Sequence, residues 1–144
     1  TMKKGTSQYN DSPFYSIERP GSVMFEFTRR VEGTGRYDFQ NKRIFAINPT
    51  EIGVFAVTPP GQQISLKRQA RSEDGSTWTT LKTLSVSPTA DMGGVTFTFE
   101  VPEDEHGEAW SIDLTNAEYF VIKSLMFDSL KHITGWQLAL EPPA

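Results

Sequence analysis

The sequence has no cysteine and only two histidines, His106 and His132. The first absence excludes disulfides, thiolate zinc sites and cysteine nucleophiles. The second leaves too few imidazoles for a multi-histidine metal centre. No apolar run reaches the roughly 18 residues that a membrane-spanning helix needs, and no secretory leader pattern opens the chain. Thr1 stands ahead of Met2, which leaves room for a targeting segment removed upstream. A Gly-x-Ser-x-Gly nucleophile elbow is missing as well. Gly33-Thr34-Gly35 is not a phosphate loop, because no Gly-Lys-Ser/Thr follows and it sits between strand-like segments. The acidic run Glu103–Glu108 lacks the alternating spacing of a calcium loop and reads as a solvated connection. His132, one helical turn past Asp128, reads as a packing or capping residue. These absences lead us to expect a protein without catalytic activity, cofactor or metal.

What is present fits one globular domain: 144 residues, 37% hydrophobic, 22% charged. The net charge of −4 hides an asymmetry. Residues 1–71 hold eleven Lys/Arg against six Asp/Glu, while residues 72–144 hold three against twelve. Such a bipolar chain can grip a polyanion with one part and repel it with another.

Period-two alternation and turn residues divide the chain into strands. In the first half the expected strands are 14–19, 22–31, 36–39 and 42–47. Asn48 then caps a short helix to about Val57, with Pro49 at its first turn and Glu51 reaching back to the Asn48 amide. In the second half the strands are 62–71, 78–87, 95–101 and 109–114. Thr115 to Glu118 forms another capping box, and the helix it opens runs to about Ile133, stopped by Gly135. The order is therefore four strands and a helix, said twice, over 14–57 and 62–133. Residues 1–13 read as a flexible N-terminal segment and 138–144 as a C-terminal tail around a single domain, 14–137. Tyr119, Phe120, Val121, Ile122, Leu125, Met126, Phe127, Leu130 and Ile133 wrap most of the second helix. A surface helix shows one apolar stripe, so this one is expected to pack on its own sheet and on other subunits.

Cations on strands are the informative feature. In the hairpin 62–87, a simple four-residue turn sets Lys67 opposite Lys82. A one-residue bulge instead aligns Ile64 with Val86 and Leu66 with Leu84, and sets Arg68 opposite Lys82. Either register places two cations face to face, an arrangement that destabilises a sheet unless an anion neutralises it. The first hairpin differs, because Arg29 or Arg30 falls opposite Asp38. Lys42 and Arg43 have no opposite charge beside them in sequence, and Arg19 ends the first strand. The phosphate-contact candidates are Lys67, Arg68, Lys82, Lys42, Arg43, Arg19 and Arg71. Tyr15, Tyr37 and Trp78 could stack bases, although single aromatics on strands more often serve packing.

Three segments carry a family resemblance. Gly35-Arg-Tyr-Asp-Phe-Gln-Asn-Lys-Arg-Ile-Phe-Ala-Ile-Asn-Pro-Thr-Glu-Ile-Gly53 resembles the signature of the Whirly fold. So does Ala117-Glu-Tyr-Phe-Val-Ile-Lys123 followed by His132-Ile-Thr-Gly-Trp136, and Leu81 to Pro88 is similar to the family's central strand. The resemblance spans about 14–137. It implies an α+β fold of two antiparallel four-stranded sheets with two helices, assembled as a tetramer through the helices. Plant Whirly proteins bind single-stranded DNA and carry Lys-Gly-Lys-Ala-Ala-Leu at the first strand, where this sequence reads Ser12-Pro-Phe-Tyr-Ser-Ile-Glu18. That departure makes the chain look like one of the two kinetoplastid mitochondrial guide-RNA-binding subunits. The function so implied is a mitochondrial-matrix matchmaker. It would hold guide RNA through sequence-independent phosphate contacts and promote annealing to pre-edited messenger RNA, in a hetero-oligomer with a related subunit. The alternatives are an organellar single-stranded-DNA-binding Whirly protein and a structural subunit supporting a more basic partner. A carbohydrate-binding sandwich is more remote.

Overall fold

The computed structural model describes residues 2–6, 13–17, 20–102 and 109–136. The expected C-terminal tail, Arg19 and most of the acidic loop lie outside them. Among these residues, eight strands and two α-helices follow in the order β1 Met2–Thr6, β2 Pro13–Ile17, β3 Val23–Phe27, β4 Arg43–Ile47, α1 Pro49–Val57, β5 Ile64–Arg71, β6 Trp78–Pro88, β7 Gly94–Glu100, β8 Trp110–Thr115 and α2 Asn116–Ile133. Four strands precede a helix in each half, but in the first half they are not the four expected within 14–57: β1 stands ahead of residue 14, and no strand forms at 36–39. The second half forms one antiparallel sheet in the order β5-β6-β7-β8. Among the described residues the first half forms two two-stranded ladders, β1-β2 and β3-β4, where the repeat led us to expect one four-stranded sheet.

Two strand expectations fail in the first half. The stretch read as a flexible segment contains β1, paired antiparallel with β2 from Met2↔Ile17 to Thr6↔Pro13. The strand expected at 36–39 is reduced to a single bridge, Arg30↔Tyr37. The chain turns there instead, in a 3-10 turn over Phe39–Asn41. The Asp38 carboxylate caps it by accepting from the Asn41 backbone N–H and from Asn41 Nδ2 at 2.7 Å. A capped turn satisfies backbone groups that a strand would otherwise have paired.

Both capping boxes close as the sequence implies. Glu51 N–H donates to Asn48 Oδ1 at 2.9 Å, and Asn48 N–H to Glu51 Oε2 at 3.0 Å. Glu118 N–H donates to Thr115 Oγ1 at 3.2 Å, and Thr115 N–H to Glu118 Oε2 at 2.8 Å. Gly135, at φ +77°, ends α2 where a side chain would be strained.

Contacts divide the chain into two compact units, one of Thr1–Gly53 with Ser124–Ala144 and one of Val54–Lys123. These do not coincide with the sequence repeats, because each unit takes part of α1 and part of α2. The first buries Phe45, Ile47, Ile52 and Met126, and its Gly21 N–H donates to the Ile133 carbonyl at 2.9 Å. The second buries Phe55, Ile64, Leu66, Leu84, Val86, Val95, Phe97 and Phe99. In it the Tyr119 ring packs edge-on against Phe97, centroids 5.9 Å apart, and burial raises the Tyr119 pKa.

Helix α2 keeps an exposed apolar side. Phe120, Val121 and Leu125 are open to solvent, Leu125 to 67%, while Met126 is buried.

Candidate nucleic-acid interface

The pleat of the four-stranded sheet separates two chemistries. Register pairs Ile64 with Val86, Leu66 with Leu84, Val86 with Phe97, Leu84 with Phe99 and Val95 with Leu114. These side chains share one face, and most of them are core residues. The other face carries Ser65, Lys67, Thr83, Ser85, Ser87, Thr96, Thr98, Glu100, Ser111 and Asp113, joined by the same register. It is a hydroxyl-rich surface with charge at its margins.

The bulged register is the one that forms: Arg68 faces Lys82, and the shift falls between Arg68 and Gln69, with Leu81 as the extra residue on β6. Aligning Ile64 with Val86 and Leu66 with Leu84 on one buried face outweighs the like-charge juxtaposition, because a slip by one residue would expose that whole set. Arg68 and Lys82 are half-buried, and neither lacks a partner.

The expected grip of Lys67, Arg68 and Lys82 does not form as one cluster. Successive residues of a strand point to opposite faces. Arg68 and Lys82 continue the core face, and Lys67 stands on the hydroxyl face opposite Thr83. Gln69 and Arg71 follow Lys67 on that side by the same alternation. Past the bulge, Thr80 and Trp78 come opposite them. Gln69 Nε2 lies 3.4 Å from Thr80 Oγ1. Arg71 stacks over the Trp78 ring, 5.6 Å from its centroid, and its Nε–H donates to the Gly75 carbonyl at 2.8 Å. Gly75 adopts φ +74° in the turn that permits this return. Asp74 closes the tip. Its carboxylate accepts from Ser72 Oγ, Ser76 N–H and Ser76 Oγ, which lowers its pKa to about 2.

In the other unit, Lys42 has a partner that sequence proximity did not reveal. Its Nζ lies 3.2 Å from Glu26 Oε1, sixteen residues earlier on β3. Arg43 opposite Phe27 also has partners. The Asp38 N–H donates to the Arg29 carbonyl, which sets Arg29 beside Asp38 as one of the two expected registers required.

Trp78, at 61% exposure, and Tyr37 lie outside the buried core, and Phe39, which sequence reasoning passed over, is exposed beside Tyr37 with ring centroids 6.3 Å apart. The missed signal was position: each adjoins a turn. Among the described residues no group of three His, Asp or Glu side chains could hold a metal ion, and no helix is long and apolar enough to cross a membrane.

Residues 1–125 match the family model described as Whirly transcription factor. The chain belongs to the Whirly family. This Whirly chain is 29% identical over 128 residues to the single-stranded DNA-binding protein WHY2, mitochondrial, of Arabidopsis thaliana, covering 88% of this chain and 53% of that one. It is 28% identical over 137 residues to the single-stranded DNA-binding protein WHY1, chloroplastic, of Solanum tuberosum, covering 90% and 48%. It thus spans about half the length of these curated relatives. Its fold is that of the plant transcriptional regulator PBF-2, with TM-score 0.75 at 24% identity over 96% of this chain and 75% of that one. WHY3 from Arabidopsis thaliana gives a TM-score of 0.74 at 23% identity over 94% and 79%.

The strand assignment bears on the guide-RNA resemblance. The first strand is Met2–Thr6, reading Met-Lys-Lys-Gly-Thr. Ser12–Glu18, set against the plants' first-strand motif, contains the second strand. That departure no longer separates this chain from the plant branch.

Proposed function

We propose that this Whirly chain is an organellar single-stranded-DNA-binding protein that holds the sugar–phosphate backbone without reading sequence and carries out no catalysis. The observation that supports it most is the hydroxyl-rich face of the β5–β8 sheet, edged by Lys67 and Arg71 and ending at an exposed tryptophan. Cations and hydroxyls of this kind contact phosphate and sugar, and such contacts position a strand without specifying bases. An aromatic beside them adds stacking that any base can satisfy. Lys67 and Arg71 are the principal phosphate contacts in this reading. Arg68 and Lys82, which continue the opposite face of the sheet, and Lys42 and Arg43, which belong to the other unit, stand outside this phosphate track.

The plant relatives are named as single-stranded-DNA-binding proteins of mitochondria and chloroplasts, which favours DNA over guide RNA and an organelle, the mitochondrial matrix included, as the compartment. Assembly through the exposed side of α2 is part of the same proposal. The leucine and aromatics there form the kind of surface that a second copy or a related subunit would cover.

The test is a direct titration of the purified chain with a single-stranded DNA and an RNA of matched sequence, at fixed salt. Tighter DNA binding supports the reading. RNA bound at least tenfold tighter than DNA returns the guide-RNA matchmaker to the fore. Binding of neither leaves the structural-subunit reading.

A further inference from the structure

Trp78 is the one aromatic on the hydroxyl face of the sheet, and its surroundings are built. Arg71 covers one side of the indole, 5.6 Å from the ring centroid. The guanidinium is itself fixed by Nε–H donation to the Gly75 carbonyl at 2.8 Å. That bond uses one of five donors, so four N–H groups remain to meet an anion. The indole is nevertheless 61% exposed, so the side away from Arg71 is open. Lys67 lies on the same face four residues up β5, about 13 Å along the strand.

Charge limits the path that a polyanion can take across this face. Glu100 stands on the far side of Thr83 from Lys67, two strand spacings or roughly 10 Å away, and Asp113 lies further on at β8. Glu73 and Asp74 occupy the hairpin tip beyond Trp78, and Asp74, with its pKa at about 2, is ionised at any physiological pH. Acid therefore bounds the cations across the sheet and past the tip. The open direction runs along β5, from Lys67 to Arg71.

We propose that Arg71 and Trp78 form a terminal nucleotide subsite on the hydroxyl face, in which Arg71 meets a backbone phosphate and the open side of Trp78 stacks the adjoining base of a strand running along β5 past Lys67. The subsite rests on the single-strand-binding reading above. Its chemistry is indifferent to base identity, because every base presents a π face, and it discriminates against duplex, whose bases are already stacked on both sides. Arg71 plays two parts, contacting phosphate and holding the indole in place.

The test compares the natural chain with Trp78→Ala and Trp78→Phe, by anisotropy of a labelled oligothymidylate and of an oligomer of the same length with an abasic backbone. Circular dichroism checks each fold. On the oligothymidylate, Trp78→Ala should bind about tenfold more weakly, the effect of one lost base–aromatic stack, and Trp78→Phe should recover most of it. On the abasic oligomer all three should bind alike. Trp78→Phe, which keeps a ring for packing, also removes whatever quenching of intrinsic fluorescence Trp78 contributes on stacking, and gives a readout should Trp78→Ala fail to fold. Equal binding of Trp78→Ala and natural chain to oligothymidylate overturns the subsite while leaving the single-strand reading intact. So does an equal loss on the abasic oligomer, which would mean that Trp78 only props Arg71. Absence of any binding by the natural chain overturns that reading and the subsite together.

Discussion

Replacing both Lys67 and Arg71 by alanine should flatten the salt dependence of single-strand binding. Each phosphate neutralised on a single strand contributes about 0.7 to the slope of log affinity against log salt, through release of a condensed counterion. Two such contacts give a change of about 1.4. Between about 50 and 200 mM salt, a fourfold range, the affinity gap between natural chain and double variant should therefore narrow roughly sevenfold. Fold is not at issue. Lys67 makes no ion pair among the described residues, and an exposed substitution of that kind changes stability by less than about 0.5 kcal/mol. Arg71→Ala forfeits an exposed cation–π contact of about 0.5–1 kcal/mol and the bond to Gly75. Anisotropy titrations of a labelled oligothymidylate at five salt concentrations give the slopes, with Lys42→Ala as a comparison. Lys42 already spends its charge on Glu26, so its loss should change the slope less. A double variant whose slope equals the natural one, or a larger change from Lys42→Ala, would refute the placement of the phosphate track on the hydroxyl face.

Leu125→Asp should convert an oligomer into smaller species in light scattering, because it plants a charge on the exposed apolar side of α2; a natural chain that stays monomeric at all concentrations counts against assembly there. Gly94→Ala should lower the thermal midpoint sharply. Its Cβ would meet the Leu114 carbonyl oxygen at 2.0 Å, a backbone contact that cannot swing aside, and overpacking of this kind costs at least about 1–3 kcal/mol. Asp74 should titrate near pH 2 by NMR, against 3.8 for an unperturbed carboxyl. With the folded pKa depressed, its contribution to hairpin order is complete above about 3.8 and fades as pH falls through 2; Ser72→Ala should move the midpoint upward.

Much of this fold could be read from local chemistry. The two capping boxes need only side chains three residues apart, and both close as expected. The bulge followed from an energetic choice between burying Leu66 with Leu84 and keeping an unbroken ladder. What stayed hidden depends on partners distant in sequence. Strand β1, with Lys-Lys-Gly at its centre, shows no apolar alternation, and its pairing with β2 identifies it. The strand expected at 36–39 lost to a turn capped by Asp38. The salt bridge of Lys42 joins residues sixteen apart. Of the proposed phosphate track, the residues were legible but their grouping was not. Lys67 and Arg71 were among the candidates, but grouping Lys67 with Arg68 and Lys82 treated neighbours in sequence as neighbours in space. The pleat of β5 sends Lys67 and Arg68 to opposite sides.

The central claim is that this chain holds single strands by their backbone, without regard to sequence. Competition against a labelled oligonucleotide at fixed salt tests it most directly, using an unlabelled copy, a scrambled single strand of equal length, and the duplex of the same sequence. The copy and the scrambled strand should compete equally, and the duplex at least tenfold less well. A duplex that competes as well as the single strand would contradict it, as would a scrambled strand weaker by the 1–3 kcal/mol per changed base that marks base-edge readout.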